Sequence, residues 1–124
     1  MAIPGCSKNY VSDAAIPKRR IVTYGAADGS VNLASAATQL FAGVSELGCT
    51  AANDRLDIIK SGIAHIEYGG TVTRGQALTS DATGRAVAAA PAAGANNQII
   101  GFAEISGVVG DIGEVWISRG LLQG

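Results

Sequence analysis

Residues 62–79 read Gly62-Ile63-Ala64-His65-Ile66-Glu67-Tyr68-Gly69-Gly70-Thr71-Val72-Thr73-Arg74-Gly75-Gln76-Ala77-Leu78-Thr79. Three short runs of β-formers stand between two glycine turns, Tyr68-Gly69-Gly70 and Arg74-Gly75. In the first run the side chains alternate: Ala64, Ile66 and Tyr68 share one face, and Ile63, His65 and Glu67 share the other. The same grammar continues on both sides. Upstream lie Arg20-Ile-Val-Thr-Tyr24, Ser30-Val-Asn-Leu33 and residues 55–59, and downstream lie residues 99–102 and 114–117. Turn clusters fall at Ala27-Asp28-Gly29, at residues 110–113 and at residues 81–84, where Asp81 first and Gly84 fourth suit a type I turn. Short strands at this spacing read as an all-β barrel or sandwich. Residues 33–40, with Ser35 as an N-cap, predict the one short helix.

The chain has 124 residues, room for one ordinary domain. Hydrophobic residues make up 48%, yet aromatics only 5%, so much of the apolar fraction is alanine and buries little area per side chain. A core this thin predicts help from outside the chain, by oligomerisation or by docking onto a larger surface. Charged residues are 15% and the net charge is -1. That excludes a basic nucleic-acid coat, which neutralises phosphates with clustered Lys and Arg. It equally excludes a highly charged disordered chain. No apolar run approaches the roughly 20 residues that span a bilayer. Met1-Ala2-Ile3-Pro4 shows no basic region followed by an apolar stretch, so synthesis in a cytoplasm is expected.

Residues 1–17 carry no periodicity. They predict an extended N-terminal arm, frayed or ordered on a partner, with Ile3, Tyr10, Val11 and Ile16 as apolar anchors. Residues 18–124 then form the domain, and the arm is expected to be dispensable for folding but needed for docking. Lys18, Arg19 and Arg20 form the one basic cluster, at the root of the arm. They read either as a solubilising strand entrance or as an ionic contact to an acidic surface. Cys6 and Cys49 match no metal or redox spacing; they are two free thiols or a bridge pinning the arm.

An internal repeat is the most informative pattern. A shift of 58 residues brings Ala37 onto Ala95, Gly43 onto Gly101, Glu46 onto Glu104, Leu47 onto Ile105, Ile59 onto Ile117 and Gly62 onto Gly120, with no gap. With a small gap, Asp28-Gly29-Ser30-Val31 also meets Thr83-Gly84-Arg85-Ala86. The pattern predicts two similar β-units closing each other's core.

The segments follow one another in a recognisable order. An Ile-Val-Thr strand leads to Gly25-Ala-Ala-Asp-Gly29, Ala36-Ala-Thr-Gln-Leu40 and Phe41-Ala-Gly-Val-Ser45. Then come Leu56-Asp-Ile-Ile-Lys-Ser-Gly62, Gly69-Gly-Thr-Val-Thr-Arg-Gly75, Ala77-Leu-Thr-Ser-Asp-Ala-Thr-Gly84, Ile99-Ile-Gly-Phe-Ala103 and Gly113-Glu-Val-Trp-Ile117. This succession, over residues 19–118, resembles the bacteriophage capsid cement, or head-decoration, family. The resemblance implies a small β-barrel or β-tulip-like domain that binds the outside of an assembled phage head and stabilises capsomer junctions. It implies the major capsid protein and copies of the chain itself as partners, as a trimer or a dimer. A virion location follows, with no cofactor, nucleic acid, membrane or small-molecule substrate.

No constellation of residues points to catalysis. His65 is the only histidine and has no partner in its local sequence. No GxSxG nucleophile motif occurs. Asn53, Asp54 and Asp57 offer three oxygens, short of the six to eight at fixed offsets that calcium needs. The glycine run 107–113 mimics a nucleotide loop but leads into a strand, where a phosphate-holding loop opens a helix. Trp116 shares an outer face with Glu114 and Ser118 if Val115 and Ile117 point inward, and such a tryptophan suits an interface. The alternative function is a biotinyl or lipoyl carrier modified at Lys60, because residues 70–78 resemble the turn of those domains.

Overall fold

The structure, a computed structural model, describes residues 3–123, with side chains from Cys6 onward. Among them are nine strands and no helix: β1 Ile3–Ser12, β2 Arg20–Tyr24, β3 Ser30–Leu33, β4 Phe41–Ser45, β5 Arg55–Glu67, β6 Ala77–Ser80, β7 Ala86–Ala88, β8 Asn96–Ala103 and β9 Ile112–Gln123. The strand order is β1-β3-β2-β4-β5-β9-β8-β6-β7, and β1 pairs also with β5. That extra pairing closes β1-β3-β2-β4-β5 into a five-stranded barrel and abolishes its open edges.

The rest of the sheet runs in a matching order. In the barrel, β1 is parallel to β3 and every other neighbouring pair is antiparallel. Beyond it, β5 pairs with β9, β9 with β8, β8 with β6 and β6 with β7, all antiparallel. A parallel bridge between Tyr68 and Ala86 then brings β7 back to the end of β5. β5 therefore serves both circuits, its first half in one and its second half in the other. Between the halves Gly62 sits at φ 91°, a conformation open to glycine at little steric cost.

Two cores result. Tyr10, Ile16, Val22, Val31, Ala42, Leu56 and Ile58 fill the five-stranded barrel. Ile21, Phe41, Val44, Ile59, Ile66, Tyr68, Leu78, Ile100 and Val115 belong to the second. Neighbours along one strand go to opposite cores: Ile21 and Val22, Phe41 and Ala42, Ile58 and Ile59. The wall made by β2, β4 and the start of β5 is thus covered on both faces, and all five residues of β4 are buried.

Two expectations are corrected. The helix at 33–40 does not form. Gln39 Oε1 accepts the amide hydrogens of Ser35 (2.8 Å) and Ala36 (3.2 Å), and its amide nitrogen donates to Ser35 Oγ. The Ala37 carbonyl accepts from Gln98 N of β8 at 2.7 Å. The polar groups a helix would use are therefore spent on a side-chain-closed loop docked against β8. The second correction concerns the arm. Residues 3–12 are strand β1, registered from Ile3 opposite Ile63 to Val11 opposite Arg55. Backbone pairing and the burial of Tyr10 and Ser12 hold it, so its lack of periodicity reflects a strand with bulges near Cys6.

A charged knot ties β2, the end of β5 and the turn after β6 together. Arg20 reaches Glu67 at 3.5 Å and the Thr83 carbonyl at 2.8 Å. Arg85 reaches Glu67 at 3.6 Å and Asp81 at 3.2 Å. Burial pushes the Asp81 carboxyl up, but hydrogen bonds from the Thr83 and Arg85 amides and the Thr83 hydroxyl, with the Arg85 charge, bring it below its ordinary value.

Three outcomes are expected. Deleting residues 2–12 removes a barrel wall and abolishes the cooperative melting transition, read by circular dichroism. A Cβ on Gly113 would collide with the buried Tyr68 ring, so Gly113→Ala costs about 1–3 kcal/mol in urea denaturation. Asp81 titrates lower when folded, so its contribution is whole above the ordinary carboxylate pKa of about 3.9 and is lost as pH falls through the folded value. Acid denaturation of the wild type is therefore steeper there than that of Asp81→Asn.

Candidate functional site

The outward-facing sequence candidates separate into those on the surface and those used inside. Val115 and Ile117 point into the core, and Trp116 between them is 53% exposed on the outer face of β9. Its register neighbours are Ile63 on β5 and Phe102 on β8, both half-buried. The Phe102 and Trp116 rings pack at 6.2 Å between centroids with a 43° tilt. An apolar row, Ile63–Trp116–Phe102, therefore crosses three strands on the outside of the sheet. Beyond the β8 end of the row, the loop to β9 adds exposed Ile105, Val108 and Val109, and Ile112 opens β9 itself.

The anchors expected on the arm go elsewhere. Tyr10 and Ile16 are buried in the barrel core. Ile16 exchanges two backbone hydrogen bonds with Cys49, at 3.0 and 2.9 Å. Val11 is half-buried, and the Ile3 side chain lies outside the described residues. Within the basic cluster, Lys18 and Arg19 are exposed, whereas Arg20 is committed to the Glu67 knot. Lys18 edges an open hollow of about 460 Å³ shared with Ile16, Pro17, Leu47 and Asp54. Cys6 and Cys49 are free thiols, Cys6 exposed and Cys49 partly covered.

Lys60 is not placed like a carrier lysine. It sits within β5, away from any hairpin tip, and its ammonium donates to Ala42 O (2.8 Å), Tyr10 OH (2.9 Å) and Tyr24 OH (3.3 Å). It also lies 5.2 Å from the centroids of both tyrosine rings. Three acceptors match its three donors, so it is a structural plug at one barrel end. Burial pushes the Tyr24 phenol up, but the hydrogen bonds and charges of Lys60 and Arg119 bring it below its ordinary value. Tyr68 goes the other way, raised by burial and by the charges of Asp111 and Glu114, and its hydroxyl donates to the Ile105 carbonyl at 2.7 Å.

The remaining polar candidates build structure. Glu46 accepts the His65 amide at 2.7 Å and lies 3.7 Å from His65 Nδ1. Asp54 closes its own loop by accepting from Ala51 N, and Asp57 accepts from Asn9 across the β1–β5 ladder. Among the described residues no group of three or more His, Cys, Asp or Glu is placed to hold a metal. The glycine run ends in β9, with Asp111 closing its turn onto Val108 N.

Sequence reasoning missed two surface features. The first is Val108-Val109, apolar residues at the tip of a glycine-bracketed turn; large apolar side chains in such a turn were the available signal. The second is a cleft of about 300 Å³ lined by Leu40, Phe41, Gln98, Ile99, Arg119 and Leu121. Its members are scattered over 82 positions, and no local pattern joins them.

No family model matches the chain, and no curated protein matches it in sequence. Among solved structures it is similar to the head fiber gp8.5 N base of bacteriophage phi29, seen in a crystal structure. The TM-score is 0.73 at 17% identity, over 96% of this chain and 98% of that one. What the two share at this identity is the fold, end to end.

Proposed function

We propose that this protein is a non-enzymatic structural component of a phage head, seated on the outer capsid surface through the major capsid protein and associated with copies of itself. The observation that carries this reading is the likeness over nearly the whole length of both chains to the base of a head fiber. The surface agrees with it. Polar side chains that could have served chemistry are spent on ladders, loops and the knot, while large apolar groups stand outside. A seat on a lattice of identical sites needs modest individual contacts, because multivalency multiplies them. A homotrimer, or a dimer, supplies that valency, and bracing of capsomer junctions follows if each copy spans one. The outer row centred on Trp116 is the proposed contact, with Lys18 and Arg19 as flanking charges.

The test is co-sedimentation of the purified chain with heads that lack it. The wild type is expected to pellet with heads and to sediment alone as an oligomer. Trp116→Ser is expected to keep its melting behaviour within about 1 kcal/mol, as an exposed position should. Its head binding is expected to fall about tenfold or more, as for an interface anchor. A wild-type chain that stays in the supernatant refutes the reading.

A further inference from the structure

At one end of the barrel three features meet that the Trp116 row does not explain. The first is an open strand edge. β9 pairs with β5 only as far as Ile117 opposite Gly62; beyond that point β5 turns to β4, and the stretch from Arg119 onward is laddered to β8 alone. Arg119, Gly120 and Leu121 of this stretch line the cleft described above, together with Gln98 and Ile99 of β8 and with Leu40 and Phe41. The second is exposed apolar surface: Leu40 is 63% exposed, Leu121 51% and Tyr24 46%. The third is charge. Arg119 lines the cleft and donates to the Phe41 carbonyl at 2.6 Å. Arg119 belongs to none of the ion pairs among the described residues, which join Arg20, His65 and Arg85 to Glu67, Glu46 and Asp81.

We propose that this cleft binds an extended, acidic and apolar peptide segment of a head protein, which adds to the free edge of β9 and sets a carboxylate against Arg119. This deepens the head-associated reading and rests on it for the identity of the partner. The chemistry is specific on each count. A free strand edge is satisfied by another strand, whose backbone supplies affinity while alternate side chains supply selectivity. Leu40 and Leu121 ask for apolar side chains at every second position. A cation at the cleft without a carboxylate partner asks for an anion, and arginine holds a carboxylate through paired donors. Gly120, next to Arg119 on this edge, has open space where a Cβ would stand, so a strand can approach closely.

The experiment is an NMR titration of the full chain with an acetylated, amidated heptapeptide of alternating valine and aspartate. The controls are the same peptide with lysine for aspartate, and a ten-nucleotide oligothymidylate. Amide shifts are expected at Leu40, Phe41 and residues 119–122 and at the Tyr24 ring, weakening with salt. Arg119→Gln and Leu40→Ser are each expected to lower affinity about tenfold, the scale of a lost interfacial charge pair or apolar contact, with Leu40→Ser melting as the wild type does and Arg119→Gln still melting cooperatively. No shifts, shifts confined elsewhere, or equal binding of either control overturns the proposal. Co-sedimentation separates it from the parent reading. If wild type and the Arg119→Gln/Leu40→Ser double variant pellet equally with heads, the cleft proposal falls and the head assignment stands. If wild type fails to pellet, the head assignment falls and the peptide titration still decides the cleft.

Discussion

The structure depends on the double burial of a single wall. β2, β4 and the start of β5 send alternate side chains into two cores, so neither core can form without the other's strands. In a chain with so few aromatics this arrangement matters. A wall used twice removes apolar area from water on both faces, which offsets the small yield of each alanine or valine. β5 extends the economy: its 13 residues close the five-stranded barrel and then begin the second circuit.

That coupling also explains where the polar groups go. A wall with two apolar faces leaves its charged neighbours only the rims. At one rim Lys60 is met by two phenols and a carbonyl. At another, Arg20 and Arg85 share Glu67 and fasten the β6–β7 turn to the barrel. A partly buried charge is tolerated when its donors and acceptors are matched, and here most are matched across elements remote in sequence, Arg20 Nε being a buried donor left over. The consequence for function is that the basic cluster offers the surface two cations, Lys18 and Arg19, while Arg20 holds the fold.

Several elements were legible in the residues. Strands β2 and β3 fall where the β-former runs fall, and the alternation over residues 63–68 correctly divides the buried Ala64, Ile66 and Tyr68 from the outer Ile63, His65 and Glu67. The outward Trp116 follows from the same period of two. β4 was harder: with both faces buried it has no polar alternation, and Gly43 at its centre weakens the strand signal. β1 carries Pro4, Gly5 and a register shift, so it reads as a loose arm although Tyr10 anchors it. The predicted helix failed because Gln39 satisfies the local amides more cheaply than a helical turn does.

The sequence by itself determined the all-β class, the glycine-punctuated strand spacing, the inside and outside of the alternating strands, and the 58-residue offset that places β4 on β8. These are local or periodic properties, carried by the two-residue repeat of a strand and by turn chemistry. Only the tertiary structure decided that β1 closes a barrel, that Lys60 is held by Tyr10, Tyr24 and Ala42, and that Arg119 stands with Leu40 at one cleft. Each of those depends on pairing between residues dozens of positions apart, and pairing partners are chosen by the packing of the whole sheet, which leaves no trace in the neighbours along the chain.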